Sequence, residues 1–423
     1  MSDAIVTLHE CGGARAAQAL TVEEALQRIE AGVQPVSGVE KIALRSALGR
    51  ILAEDILSPI DVPAHTNSAV DGYALINADL RAGETVMLRV IGTSWAGRPF
   101  DGRVQAGECV RIMTGAALPA GADSVVMQEY VQIEGNAMRT TAKLQTGENV
   151  RAAGEDLATG QCVLAAGKQI LPPDLGLLAS IGLAEAAVRR RLRVAFFSTG
   201  DELRSIGQPL APGEIFDSNR YTLYGMLTRL GVDILDLGVV RDDRDATRRA
   251  FLDAAANADV IITSGGVSVG EADYVKETLE ALGEIGFWQI SMKPGRPLAF
   301  GRVRDAIFFG LPGNPVSVMV TFYQFVEPAL RRMMGQSDTR PAAATFKVRC
   351  VSRLHKRPGR TEFQRGILER DAAGELVVRA TGQQGSGILR SMSVGNCFII
   401  LPRDSASIEP GTLVDVQPFH GIL

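Results

Sequence analysis

The segment from residue 193 to residue 202, RVAFFSTGDE, decides the fold class of this chain. Its continuous apolar run is typical of a strand that is buried on both faces of a sheet. From here to residue 334 strands and helices alternate, with strands predicted at 193–198, 232–240, 259–264 and 306–309, and helices at 218–230, 246–256, 272–282 and 315–334. Such alternation forms a largely parallel sheet with right-handed crossovers. We therefore predict a central, mostly parallel α/β domain.

The sequence on either side of this segment has a different pattern. A capping box from Thr21 to Glu24 predicts a helix up to residue 31. Short apolar stretches separated by glycine and proline follow, which are typical of short strands joined by turns. Short strands return after residue 340, at 345–351, 376–380, 397–401 and 412–416. We predict two intertwined N-terminal mixed and β modules over 1–190, the α/β domain over 191–340, and a small, barrel-like C-terminal β domain over 341–423.

Composition excludes several classes of protein. The chain has 423 residues, 46% of them hydrophobic, which is enough to bury several cores and argues against disorder. The 44 basic and 48 acidic residues give a net charge of −4, which argues against a general nucleic-acid binder. Five cysteines without a CxxC pair and four scattered histidines predict reduced thiols in a cytoplasmic protein and no zinc site. The sequence shows no secretory signal and no apolar run of membrane-spanning length.

Acidic side chains follow three of the predicted parallel strands. Asp201 and Glu202 come after the first strand, Asp242 and Asp243 after the second, and Glu271 and Asp273 in the glycine-rich turn after the third. Ligands of open parallel sheets bind at the carboxyl ends of the strands. Carboxylates delivered by three strands to one edge favour a hard cation such as Mg²⁺, which takes oxygen ligands and bridges phosphates. The alternative is that these acids only cap the helices that follow them.

Three turns contain further candidate ligand groups. The turn at 264–270, SGGVSVG, matches neither the dinucleotide nor the P-loop fingerprint. Its glycines can expose backbone N–H groups to an anion, although tight turns also use glycine structurally. In the turn at 293–297, KPGRP, Lys293 and Arg296 suit a phosphate or another oxyanion. The turn at 311–317 contains Asn314, for which a structural N-cap role is favoured.

These segments carry a family resemblance. The sequence resembles the molybdopterin molybdenumtransferases, the family of bacterial MoeA and the E domain of gephyrin, in the motifs NSAVDGYA (67–74), RIMTGA (111–116), GED (154–156), STGDEL (198–203), DSNR (217–220), RDD (241–243), TSGGVSVGEADY (263–274), KPGRP (293–297), GLPGNPVS (310–317), PGRTEFQRG (358–366) and GSG (385–387). The motifs occur in the order of the family and cover nearly the whole chain.

The resemblance implies a four-part subunit and an elongated homodimer with each active site in a cleft between subunits. It implies a reaction in which adenylylated molybdopterin receives molybdenum from molybdate and AMP is released with Mg²⁺ present. Further implied partners are a molybdopterin adenylyltransferase and molybdoenzyme chaperones. Two other functions remain open: an ATP-dependent molybdopterin adenylyltransferase, and a non-catalytic dimeric scaffold like some gephyrin relatives.

The resemblance also assigns site residues. Its catalytic positions fall on Asp71, Thr114, Asp156, Glu202, Asp242, Asp273, Lys293, Arg365 and Ser386. The metal ligands among them are expected to be Glu202, Asp242 and Asp273. Substrate-binding positions are expected at Ser264, Gly265, Gly266, Ser268, Gly270, Arg296, Pro297 and Ser317. Molybdate is assigned to Arg296, Pro297, Ser317, Arg365 and Ser386.

Some of these positions carry further expectations. The three N-terminal positions would reach a site shared with the partner subunit. Arg365 and Ser386 are both expected in glycine-flanked turns of the C-terminal domain. The chain departs from the family at Gln289, where a lysine is expected, so one cationic contact is missing. Arg296 stands where lysine is common, which keeps the charge, and Val70 stands where methionine is common.

Overall fold

The computed structural model describes residues 19–81, 83–265, 274–337 and 345–419. Up to residue 190 its elements are α1 (Val22–Gly32), β1 (Val39–Ala43), β2 (Ile56–Leu57), β3 (Asn67–Ser68), β4 (Gly72–Leu75), β5 (Val86–Ser94), β6 (Glu108–Ile112), β7 (Ser124–Met127), β8 (Val131–Glu134), β9 (Ala137–Thr140), β10 (Val150–Arg151), β11 (Cys162–Leu164), α2 (Pro172–Ser180) and β12 (Glu185–Arg189). Within the described residues, no helix is long and apolar enough to cross a membrane.

The elements that follow form a central and a C-terminal group. The central elements are β13 (Arg193–Thr199), β14 (Leu203–Arg204), β15 (Ile215–Phe216), α3 (Ser218–Leu230), β16 (Asp233–Val240), α4 (Arg244–Asn257), β17 (Val260–Ser264), α5 (Tyr274–Leu282), β18 (Gly283–Gln289), β19 (Met292–Lys293), β20 (Pro297–Val303), β21 (Ala306–Leu311), α6 (Pro315–Thr321) and α7 (Glu327–Met333). The C-terminal elements are β22 (Phe346–Cys350), β23 (Thr361–Arg370), β24 (Leu376–Ala380), α8 (Arg390–Val394), β25 (Cys397–Leu401) and β26 (Leu413–Pro418).

The region before residue 190 consists of two packed parts. A six-stranded sheet, in the order β7-β4-β6-β5-β9-β8, is antiparallel except for the pair β5–β6. The other part joins the antiparallel pairs β1–β12 and β2–β11 to α2, around a core that includes Leu52 and Leu178. Because β1 and β2 precede the sheet and β11 and β12 follow it, the sheet is an insertion in this second part.

Helix α1 begins as predicted, with both hydrogen bonds of the Thr21–Glu24 capping box. Its buried residues Ala25 and Ile29 pack into the central core rather than against the N-terminal sheet. A backbone hydrogen bond of 2.8 Å from Leu20 N to Gln289 O also ties this end of the chain to β18. The first helix is therefore part of the layer that covers the central sheet.

The central sheet has the predicted mostly parallel character. Its order is β16-β13-β17-β21-β20-β18, in which the first four strands are parallel and β20 pairs antiparallel with both β21 and β18. Alternate residues of β13 enter different cores, Phe196 on one face and Phe197 on the other. The sheet is thus covered by helices on both faces, as its continuous apolar strands indicate. The sequence analysis missed β18 and β20.

The C-terminal strands close into a barrel. The ring runs β23-β24-β22-β26-β25 and returns to β23, and the short strand β19 of the central region adds to β23 in parallel. Aromatic side chains join barrel and helices: Tyr323 lies edge-on to Phe398, with ring centroids 5.9 Å apart. Tyr323 belongs to a π-helical segment, Phe322–Val326, that connects α6 to α7 inside the predicted long helix.

A partly buried ion pair links the N-terminal and central regions. Asp259, just before β17, accepts two hydrogen bonds of 2.7 Å from Arg190 and one of 2.8 Å from Arg193 N. Burial alone would raise the pKa of Asp259, but these hydrogen bonds outweigh burial and hold it below its usual value of 3.8. The ionised carboxylate therefore stabilises the fold above the unfolded pKa, and this contribution is lost as the pH falls through the folded pKa.

We expect Asp259→Asn to lower the free energy of unfolding at pH 7 by about 1.5–3 kcal/mol, the range for hydrogen bonds to charged groups. The difference from the wild type should shrink below about pH 4, where the carboxyl becomes protonated in unfolded chains. Chemical denaturation at pH 7 and at lower pH measures both effects. Glu369→Gln, which breaks an exposed pair with Arg379, is the control and should cost under about 1 kcal/mol. Equal losses in both variants at pH 7 would contradict the expectation.

Candidate functional site

A cavity lies at the carboxyl ends of the parallel strands. Strand β13 lies between β16 and β17 in the sheet. The chain passes from β13 to β16 on one side and then crosses back to β17 on the other side. Open α/β sheets bind ligands at the carboxyl ends of the strands where the strand order reverses in this way. The cavity has a volume of about 650 Å³. Its lining residues come from the turns after β13, β16, β17 and β21, the starts of α5 and α6, the segment 293–297 and the barrel loop 384–386.

The acidic side of the cavity holds two predicted site residues. Glu202 follows β13 and Asp242 follows β16, and both line the cavity. Partial burial and the negative charges of Asp201 and Glu202 raise the pKa of Asp242. Carboxylates that repel one another favour a bound cation, which would relieve the repulsion. This donor set therefore fits Mg²⁺.

The capping alternative applies to other acids. Asp217 is the N-cap of α3 and Asp243 is the N-cap of α4, each accepting a hydrogen bond from a backbone N–H of the first turn. Glu202 precedes the two-residue strand β14 and Asp242 stands one residue before the α4 cap. The two cavity acids are thus not helix caps.

The third predicted metal ligand, Asp273, lies outside the described residues, together with Gly266, Ser268 and Gly270. In the described ranges, no three acidic, histidine or cysteine side chains are grouped so as to hold a metal ion. Mg²⁺ is usually held by one or two protein carboxylates together with substrate phosphates and water. Two carboxylates beside a cavity of about 650 Å³, large enough for a phosphorylated substrate, agree with that mode of binding.

Gly265 shapes the start of the glycine-rich turn. Its φ is +91°, and a Cβ there would lie 2.8 Å from the backbone oxygen of Thr199. Both the left-handed backbone and the close approach of β13 require glycine at this position. Ser264, directly before it, is buried, and its Oγ accepts a hydrogen bond from Asn219. The cavity is therefore lined by Gly265, while the Ser264 side chain is occupied within the protein.

The cationic side of the cavity is positioned by the barrel. Strand β19 pairs with β23, which places Lys293 opposite Glu362. The Lys293 ammonium lies 3.5 Å from the carboxylate of Glu362, which is buried and also accepts a 3.0 Å hydrogen bond from Gln364. Lys293, Arg296, Pro297 and Ser317 all line the cavity.

Arg365 does not lie in a turn, and this expectation is wrong. It occupies the middle of β23, and only 1% of its surface is exposed. The segment pairs with both β24 and β25, so its polar residues belong to a strand of the closed barrel and not to a turn. Burial lowers the pKa of Arg365 to about 10.

The Arg365 side chain acts on the cavity through the loop that contains Ser386. Its Nη2 donates to Gly385 O at 3.0 Å, and its Nε donates to Ser391 Oγ at 2.9 Å. The side-chain amide of Gln384 binds the backbone N and O of Arg365, at 2.8 and 3.1 Å. Ser386 itself lines the cavity, and its backbone oxygen accepts a hydrogen bond from Val316 N at 3.1 Å. Ser386 lies in a loop, as expected.

Asn314 occupies the N-cap position of α6, but its side chain makes no capping hydrogen bond. It is exposed and lines the cavity. The position in the fold was predicted correctly, and the proposed capping bond is absent from the described structure. Asn314 therefore starts α6 as predicted, and its side chain, which makes no capping bond, is free to face the cavity.

The three N-terminal positions lie apart from the cavity lining. Asp71 accepts hydrogen bonds from Thr114 N and Thr114 Oγ1, both at 2.7 Å, and these lower its pKa. Asp156 is exposed and follows β10, the partner of β3. Gln289 ends β18 opposite Pro297. None of these described residues is among those that line the cavity.

Several cavity residues were not among the predicted site positions. They are Thr199, Gly200, Tyr274, Val275, Pro294, Gly295, Pro312, Gly313, Asn314, Gln384 and Gly385. For those that follow strands, the rule that ligands bind at carboxyl ends was the available signal. For Gln384 the sequence offered no signal, because its role depends on pairing with the backbone of Arg365.

Comparison with protein families accounts for nearly all of the chain. Residues 20–182 match the MoeA N-terminal region (domain I and II). Residues 195–332 match a probable molybdopterin binding domain, and residues 347–419 match the MoeA C-terminal region (domain IV). The cavity described above lies between the second and the third of these regions.

Individual relatives span the same length. A molybdopterin molybdenumtransferase of Haemophilus influenzae is 42% identical over 405 residues, which cover 96% of this chain and 100% of the relative. One of Nostoc is 37% identical, over 88% of this chain and 87% of the relative. A crystal structure of the molybdopterin biosynthesis moeA protein from Pyrococcus horikoshii superposes with a TM-score of 0.83 at 29% identity, over 95% of this chain and 100% of that chain. By its sequence and its fold, the chain belongs to the MoeA family of molybdopterin molybdenumtransferases.

Proposed function

We propose that this protein is a molybdopterin molybdenumtransferase of molybdenum cofactor biosynthesis. It inserts molybdenum from molybdate into adenylylated molybdopterin and releases AMP in a Mg²⁺-dependent step. The observation that carries the proposal is that one cavity combines carboxylates on one side with cationic and hydroxyl groups on the other. Such a cavity can take a metal-bound pyrophosphate and a second oxyanion at the same time.

The acidic residues of the proposed site act on the pyrophosphate link. Glu202 and Asp242 would hold Mg²⁺, and Asp273 is a further proposed ligand. When bound, Mg²⁺ neutralises charge on the phosphate oxygens and on the leaving AMP. Gly265 lines the cavity without a side chain and so leaves room for the phosphates at the end of β17. The two acids keep the cation at the carboxyl edge of the sheet.

The cationic residues of the proposed site act on molybdate. Arg296, Ser317 and Ser386 offer donors to a tetrahedral dianion, and Lys293 adds positive charge. Pro297 fixes the end of the turn that contains Arg296. Arg365 keeps the Ser386 loop in place through Gly385 O and adds a buried positive charge behind it.

The proposal is tested by the products that the full-length protein forms. Adenylylated molybdopterin, molybdate and Mg²⁺ should give AMP and a molybdenum-containing pterin. An adenylyltransferase would instead release pyrophosphate from ATP, and a scaffold would release neither product. Pyrophosphate release from ATP without AMP release from the adenylylated pterin would overturn the proposal.

We expect Glu202→Gln and Asp242→Asn each to abolish AMP release, because an amide cannot replace an anionic oxygen ligand of Mg²⁺. Initial rates across a Mg²⁺ titration, beside melting curves, measure the effect. Glu280→Gln, which changes an exposed carboxylate on α5, is the control and should keep wild-type activity. Full activity in either site variant would remove that residue from the proposed metal site.

We expect Ser386→Ala to raise the molybdate concentration for half-maximal insertion by roughly 10- to 150-fold, the effect of losing about 1.5–3 kcal/mol from a hydrogen bond to a charged group. Affinity for adenylylated molybdopterin should change little. Arg365→Lys, which keeps the buried charge but loses the fork to Gly385 and Ser391, should act in the same direction. Titrating each substrate separately decides the matter: weaker pterin binding with an unchanged molybdate requirement would assign these groups to the nucleotide.

We also propose a homodimer in which Asp71, Thr114 and Asp156 reach the cavity of the partner subunit. The support is that these positions lie apart from the lining of the cavity in their own chain. The hydrogen bonds from Thr114 keep Asp71 ionised, so it would bring a negative charge to that cavity.

Coexpression of Asp71→Asn and Glu202→Gln chains tests this arrangement. Each variant alone should be inactive. If the two residues meet across subunits, half of the chains pair as mixed dimers and one of their two sites is intact, giving about a quarter of wild-type activity. A mixture as inactive as the single variants, or a monomeric mass by light scattering, would contradict the shared site.

The cytoplasmic location stays a prediction from cysteine usage.

A further inference from the structure

The motif at 217–220, DSNR, contributes no residue to the lining of the cavity. Two of its residues fix the beginning of α3. Asp217 is buried and caps the helix, and Arg220 Nε donates to both carboxylate oxygens of Asp236 on β16, at 2.7 and 2.9 Å. Asn219 lies between these two anchors. Its backbone is therefore held on both sides, by the helix cap and by a neighbouring strand.

The Asn219 side chain reaches two turns of the cavity. Its Nδ2 donates to Ser264 Oγ at 2.8 Å and to Gly313 O at 2.7 Å. Ser264 is the last residue of β17, directly before Gly265, and Gly313 follows β21. The amide of Asn219 therefore connects the turn that is proposed to receive phosphate to the turn that leads into α6.

Little else in the described structure joins these turns. Strands β17 and β21 end side by side, with Ser264 opposite Leu311, and the last backbone bond between them runs from Gly265 N to Leu311 O at 3.1 Å. Next to that bond, Asn219 supplies both of its amide hydrogens, one to each turn, and an asparagine amide has two such donors.

We propose that Asn219 is a positioning residue that sets the distance between the two turns and thereby the width of the phosphate-binding side of the cavity. This inference deepens the proposed function and rests on it for the identity of the substrate. Asn219 itself is not among the described residues that line the cavity. It acts through Ser264 and Gly313, which place Gly265 and Asn314 at the cavity.

The test compares Asn219→Ala and Asn219→Asp with wild type in the full-length protein. Both variants lose the two donors, because a carboxylate only accepts hydrogen bonds. We expect kcat/KM for AMP release to fall roughly 10- to 100-fold in both, the loss of two neutral hydrogen bonds. Affinity for AMP alone should fall in parallel. The melting temperature should stay close to that of the wild type, because the anchors at Asp217 and Arg220 remain.

Asn257→Ala is the matched control. Asn257 ends α4, and its amide also donates to a backbone oxygen, that of Asp253, at 2.9 Å. This variant removes an amide hydrogen bond of the same kind away from the cavity and should keep wild-type kcat/KM. A purely structural role of Asn219 would lower the melting temperature while leaving kcat/KM of the folded protein unchanged. That result would overturn the proposal.

Hydrogen exchange separates this inference from the proposed function. In the ligand-free protein, Asn219→Ala should speed exchange of amides at both 264–265 and 311–314, whereas Asn257→Ala should change neither. Unchanged exchange in both turns would overturn the positioning role. If wild-type protein releases no AMP, the proposed function fails, and the exchange experiment still decides whether Asn219 connects the turns.

Discussion

Strand β19 leaves the central region and pairs with β23 of the barrel, in the register Met292–Thr361 and Lys293–Glu362. This two-residue pairing positions the barrel at the carboxyl edge of the sheet. The turn at 293–297 begins at its second residue, so the pairing also positions that turn. If the register shifted by one residue, Lys293 would point to the opposite face and lose Glu362. The cationic side of the cavity depends on this pairing, because neither the sheet nor the barrel supplies it alone.

The parts of the fold that local pattern determines could be predicted from the sequence. Helix α3 ends at Gly231 as expected, because its left-handed φ of +72° suits glycine. Strand β13 was evident from its apolar run. Strand β23 was missed because its polar residues resemble a turn until their partners are known. Gln364, for example, donates to the backbone oxygen of His355, nine residues away.

Part of the candidate site could also be predicted from the sequence. The rule that ligands bind at strand ends brought Glu202 and Asp242 to one edge, and the structure places both at the cavity. Strand position alone could not separate Asp242 from Asp243, which caps α4, and only the family resemblance selected Asp242. Nor could it show that Asn219 connects two turns, because that contact joins residues 45 and 94 positions apart.

Asp242, on the acidic side of the cavity, and Arg365, behind the cationic side, have pKa values that are shifted in opposite directions. Burial and neighbouring acids raise the pKa of Asp242, whereas burial lowers the pKa of Arg365 to about 10. Each shift disfavours the charged form, so each records the electrostatic cost of burying that charge. A cation near Asp242 would offset the first cost, and an anion near the Ser386 loop would offset the second. A ligand that carries both charges, such as a metal-bound phosphate beside an oxyanion, would offset both costs at the same time. Neither Asp242 nor Arg365 could achieve this by pairing with a group on its own side of the cavity.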